Sequence, residues 1–160
     1  MGRFACHSKE NFMKNQIGRY ILSFVLITGA LLSIAVDWNV SHLFNPTWPP
    51  HAVFHDWAMI NLLNGVSACC LWLLWRKSPE PEIGIKMATL IPLIFWSAFF
   101  YTTTLLPNSS LMDNPPFALP KFAGLTIYPN AAIGAFLTIL TLIGYAIATA
   151  ELKRKNADTR

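Results

Sequence analysis

The sequence predicts an all-α protein, a four-helix antiparallel bundle embedded in a membrane, and three observations carry that prediction. Just over half of the 160 residues are apolar (54%) and only 12% are charged, against about a quarter in an ordinary soluble domain. The charges gather in short patches between long apolar runs. Each run approaches the roughly 20 residues that a helix needs to cross about 30 Å of hydrocarbon. One membrane domain over residues 1–160 is therefore expected.

The first helix is expected over 17–36. Its polar residues are small, Ser23, Thr28 and Ser33, with Gly29 and Ala30 beside them, a composition that lets helices approach closely in lipid. Arg19, near its start, is its one charge. Ser33-Ile34-Ala35 imitates a signal-peptide cleavage site, but the apolar run is too long for one. Met1-Gly2 opens a myristoylation motif that fails at Cys6, where Ser or Thr is required. Asp37-Trp38 closes the span with an aromatic residue suited to the interface.

The second helix is expected over 50–75. Proline is tolerated in the first helical turn, so Pro49-Pro50 marks a start. A helix from Pro50 to Trp75 is about 39 Å long at 1.5 Å per residue. Its excess length lies at the Pro50 end, which places His51 and His55 near the headgroups. Four residues apart, they share a face. Asn61 and Asn64 lie deeper in the same span. Amides are costly against lipid, so this face is expected to turn inward, bonding between helices or lining a polar pocket with Tyr101. Cys69 and Cys70 are adjacent on a helix, point apart and read as small filler.

The third helix is expected over 85–106, after a stiff connector holding Pro79 and Pro81. Pro92 inside it predicts a kink. The fourth is expected over 131–150, where Gly134 with Thr138 and Gly144 with Ala148 fit close helix contacts. Between them, residues 107–130 form a long loop rich in proline. Its apolar residues Phe117, Leu119, Phe122, Leu125 and Ile127 are expected to lie on the bundle or in the interface. Asn39-Val40-Ser41 and Asn108-Ser109-Ser110 match glycosylation sequons, as short patterns do by chance.

Lys and Arg set the expected orientation. Eleven of the twelve belong to the N-terminal tail, the 76–86 region and the C-terminal tail, and only Lys121 lies at the other end. The positive-inside rule puts both termini in the cytoplasm and the connectors at 38–49 and 107–130 outside. The net charge of +4 thus reflects membrane orientation and does not call for a nucleic acid. The expected partner is the lipid bilayer, that of a bacterial inner membrane. A homo-oligomer or a membrane partner is left open.

The segment HLFNPTWPPHAVFH at 42–55 holds three of the chain's four histidines. Three readings compete. As metal ligands, His42, His51 and His55 would offer a divalent transition metal three imidazoles and one open position. As an acid–base site, His51 and His55, paired with Asp37 or Asp56, would act on a lipid-soluble substrate entering beside Asn61 and Tyr101. As structure, the prolines and aromatics lay the connector on the bundle, and the protein is a non-catalytic accessory or lipid-binding subunit.

Preceded by Asp37-Trp38, this segment resembles a signature of small four-span membrane proteins of bacteria and fungi, a family of unknown function. The matching residues are His42, Asn45, Pro46, Trp48, Pro49, Pro50, His51, Phe54 and His55. The resemblance covers the first two helices and implies the four-span fold. Some members carry an acetyltransferase label, but no acyl-donor site or nucleotide loop is visible here. Size and layout are also similar to DoxX-type proteins. Sterol isomerases of the emopamil-binding type place acids within their spans, and the apolar runs here contain none.

Overall fold

A computed structural model describes residues 16–107, 109–112 and 118–158. Cys6, the basic residues Arg3, Lys9, Lys14 and Arg160, the sequon residue Asn108, and Pro115, Pro116 and Phe117 lie outside the described residues. Four long helices dominate: α1 (Ile17–Asp37), α2 (Pro50–Trp75), α3 (Pro81–Leu105) and α4 (Pro129–Asp158). A two-residue hairpin, β1 (Lys121–Phe122) and β2 (Leu125–Thr126), interrupts the last connector. Ala123 and Gly124 form its turn, both at positive φ, the conformation that two-residue hairpin turns require.

The helix ends follow local chemistry. Proline occupies the first turn of both α2 and α3, where its missing N–H costs nothing. Pro81 and the first-turn Glu82 start α3 four residues ahead of the apolar run. Pro92 lies inside α3, which is helical on both sides of it. Helix α4 runs past Ala150 through Glu151-Leu152-Lys153-Arg154, good helix formers that leave the apolar zone behind.

Consecutive helices run antiparallel, as contacts at their two ends show. Gly18 at the start of α1 lies against Ala148 near the end of α4, and Leu22 lies against Gly144. Trp75 Nε1, at the end of α2, donates to Ser23 Oγ of α1 at 2.8 Å. At the other end, the Trp38 and Trp57 rings stand 5.5 Å apart. Gly84 of α3 abuts the backbone of Leu73 and Leu74 in α2, and Gly134 of α4 abuts the Trp96 ring of α3. Each helix packs on its neighbours in sequence, and α4 closes the ring on α1.

Two layers make the core. Leu22, Leu26, Cys70, Leu74, Ile85, Ala88 and Ala148 fill the terminal end. Val25, Trp96 and Leu137 fill the next layer. Between 22% and 33% of the most apolar stretch of each helix is buried, yet the exposed remainder is as oily as the inside. Phe24, Leu31, Leu62, Trp72, Ile94 and Phe136 all face outward. An outer surface of that kind suits lipid, and all four helices are long and apolar enough to cross a membrane.

A single acid closes one helix end. Gln16 provides no side-chain cap to α1. Instead Glu151 of α4 accepts from Ile17 N at 3.0 Å and from Gly18 N at 3.3 Å. Helix N-termini carry unpaired donors and partial positive charge, so a carboxylate there serves both needs.

Candidate functional site

The site grows from the connector between α1 and α2. Asn39 Oδ1 accepts from Ser41 N at 2.7 Å and from Ser41 Oγ at 2.6 Å. Asn45 Oδ1 accepts from Thr47 N at 2.9 Å and Thr47 Oγ1 at 2.8 Å. Two successive asparagine turns of this kind fold a short segment without regular structure. Leu43 is buried, and its N–H bonds back to Asp37 O at 3.1 Å, so the connector lies down on the bundle. The Asn39 amide also donates to Val36 O. Its side chain is thus committed to the turn that carries His42.

His42 is held at both faces of the problem, position and proton. Its ring stands edge-on to Trp48 with centroids 5.5 Å apart. Nδ1 lies 2.8 Å from Ser41 Oγ. A hydroxyl has one proton, and Ser41 gives its proton to Asn39 Oδ1. Ser41 Oγ must therefore accept from His42 Nδ1–H, an assignment made from the hydrogen-bond network. Nε2 then faces Asp37 Oδ1 across 3.7 Å, beyond hydrogen-bond reach.

Asp37, His42 and Asp56 share one cavity of about 610 Å³, a volume typical of small-molecule sites. All four helices contribute to it: Ser33 and Val36 from α1, Met59 from α2, Phe95, Trp96, Phe99 and Tyr101 from α3, and Asn130 and Ile133 from α4. Asp37, His42 and Asp56 lie at the connector end, and apolar walls such as Leu32, Phe95 and Trp96 continue into the bundle. The Asp37 side chain is only 13% exposed. Asp56 Oδ2 is shut away from solvent with no hydrogen-bond partner, an arrangement that is rare and costly in a finished interior. The Asn130 amide is taken by Leu111 O at 2.5 Å, and Ser33 Oγ donates to Ala30 O at 2.8 Å.

The expected residues are divided by this geometry. Asp56 and Tyr101 line the cavity with His42. His51 and His55 do not; they stay on an exposed face of α2, their Nε2 atoms 2.9 Å apart and their rings edge to face at 4.4 Å. Such a contact is an N–H···N hydrogen bond, with one ring donating and the other accepting. The expected metal set of His42, His51 and His55 is therefore split, because Ser41 and Trp48 hold His42 toward Asp37. Among the described residues, no three His, Cys, Asp or Glu side chains gather into a metal-holding group.

The two asparagines part ways as well. Asn64 bridges helices, its amide donating to Ser33 Oγ at 3.3 Å and Ile60 O at 2.8 Å. Asn61 is exposed and donates only to Trp57 O, at 2.8 Å. Both border a separate groove of about 400 Å³ with Trp38 and Trp57. The inward turn expected of this face holds for Asn64 and fails for Asn61, because α2 rotates Ile60, Leu63 and Ser67 to the core instead. Asp37, the last residue of α1, is also a wall of the cavity.

The fold and cavity define a small multi-pass membrane protein. A model of a family of unknown function (DUF6640) matches residues 21–160, and the chain belongs to that family. No curated protein and no solved structure matches it.

Proposed function

We propose that this protein binds a lipid-soluble, amphipathic molecule in the cavity at the connector end, with its apolar part among Phe95, Phe99 and Ile133 and its polar part at Asp37, His42 and Asp56. The observation that carries the reading is the convergence of Asp37, His42 and Asp56 on the wall of one cavity whose other walls are largely apolar. The site sits in an inner membrane of bacterial type with both termini in the cytoplasm, as the distribution of Lys and Arg supports. The ligand then enters from the outer leaflet.

A second reading, acid–base catalysis on the bound molecule, is favoured by the proton placement at His42. With Nδ1–H given to Ser41, a neutral His42 offers its Nε2 lone pair toward the cavity, as a general base requires. In this reading His42 takes the part that the sequence offered to His51 and His55, and Asp56 keeps its place.

The test is extraction of lipid-soluble material from purified protein, wild type beside Ala98→Phe, which fills the cavity from α3. Retention of a stoichiometric small amphiphile by wild type and its loss from the variant supports the reading. Equal content in both proteins, with the variant folded, overturns it.

A further inference from the structure

We infer that the ligand is a cationic amphiphile, an alkyl amine or a larger apolar molecule bearing an amine, and that its ammonium group sits between Asp37 and Asp56. The inference rests on the cavity-binding reading above and adds the chemical class of the head group.

The two acids on the cavity wall are Asp37 and Asp56. An ionised carboxylate can only accept, and two of them face the space. His42 gives its Nδ1–H to Ser41 and turns Nε2 toward Asp37. Ser33 and Asn130 already donate to Ala30 O and Leu111 O, while the Tyr101 hydroxyl and the Trp96 indole are neutral donors on the lining. Among the described residues no Lys or Arg lines the cavity. A head group with several N–H donors and a positive charge satisfies this set, whereas a carboxylate or phosphate head meets repulsion and finds few donors.

The surroundings agree. Among the described residues, Asp37 and Asp56 lie at the connector end with one Lys, Lys121, while Arg19, Arg76, Lys77, Lys86, Lys153, Arg154 and Lys155 belong to the opposite end. That field draws cations and repels anions. The apolar walls demand a hydrophobic body on the same molecule, since a small hydrated amine gains little from Phe95, Phe99 and Ile133. A metal ion is the poorer occupant. It leaves those walls uncovered, and the acids do not form a metal-holding group among the described residues.

The experiment uses the full chain in nanodiscs of phosphatidylcholine, with three nitroxide-labelled probes of one chain length: an amine, an alcohol and a carboxylic acid. The immobilised fraction of each is read by electron paramagnetic resonance. The amine is expected to bind about tenfold tighter than the acid, the scale of one charge-assisted hydrogen bond. Asp56→Asn, close to isosteric, is expected to weaken the amine about tenfold, and Asp37→Asn to act in the same direction. If the acid binds as tightly as the amine, or if neither Asn variant weakens the amine, the head-group inference is overturned. If the alcohol still binds and Ala98→Phe removes it, the cavity reading survives that failure. If Ala98→Phe alters no probe, both fall.

Discussion

His42 Nε2 stands 3.7 Å from Asp37 Oδ1, and its other nitrogen is 2.8 Å from Ser41 Oγ. One ring nitrogen is thus anchored while the other faces a carboxylate with no hydrogen bond between them. A ring held in this way keeps one tautomer and one orientation, the two things an acid–base or ligand-binding histidine needs.

Ser41→Ala removes the anchor without touching the cavity wall. In wild type, the ¹⁵N spectrum of neutral His42 is expected to show the proton on Nδ1. In the variant both tautomers should appear. A wild-type spectrum with the proton on Nε2 contradicts the assignment.

Asp56 illustrates a conflict between stability and use. Its Oδ2 is buried and unpaired, so Asp56→Leu is expected to stabilise the ligand-free protein by about 1 kcal/mol. The same change should abolish retention of the amine probe. Thermal unfolding in detergent measures the first effect. A loss of stability instead would mean that the carboxylate is well paired in the free protein.

The clamp from Glu151 to the start of α1 ties the first helix to the last. Loss of a helix N-cap typically costs about 1 kcal/mol. Glu151→Ala should lower the unfolding midpoint accordingly, with Glu151→Gln in between, since an amide oxygen still accepts. Unchanged midpoints in both would remove the clamp from the account of stability.

Two glycines are expected to respond with opposite signs. A Cβ on Gly84 would overlap the backbone carbonyl of Leu73, whereas nothing lies within 4 Å of one on Gly65. Gly84→Ala should destabilise by about 1–3 kcal/mol through overpacking. Gly65→Ala should stabilise by up to about 1 kcal/mol through helix propensity. Unfolding of the two variants side by side checks the α2–α3 contact.

The four helices were legible because lipid imposes a length and a polarity that stretches such as Trp57–Trp75 display openly. Their ends were less so. Hydropathy marks where the apolar run stops, while Pro81 starts α3 before it and Glu151 to Asp158 continue α4 beyond it. The site was half legible. The clustering of histidines drew attention to a connector whose His42 lines a cavity together with Asp56 and Tyr101. Which histidine lines the cavity could not be read, because α2 carries apolar residues all round and no periodicity tells which face turns inward. His51 and His55 share a face, as their spacing requires, but it is an exposed one. His42 could be placed only through Ser41 and Trp48, whose bonds depend on a fold of the connector that no pattern announces.

Photo-cross-linking in native membranes, with a diazirine-bearing long-chain amine competed by the unlabelled amine, tests ligand binding in the cavity most directly. The expected result is competable labelling in the α3 segment 95–101 and around Asp37 to His42, abolished by Ala98→Phe. Labelling confined to outward-facing residues such as Phe24, Leu31 and Phe136, and unchanged by that variant, would contradict a ligand site at Asp37, His42 and Asp56.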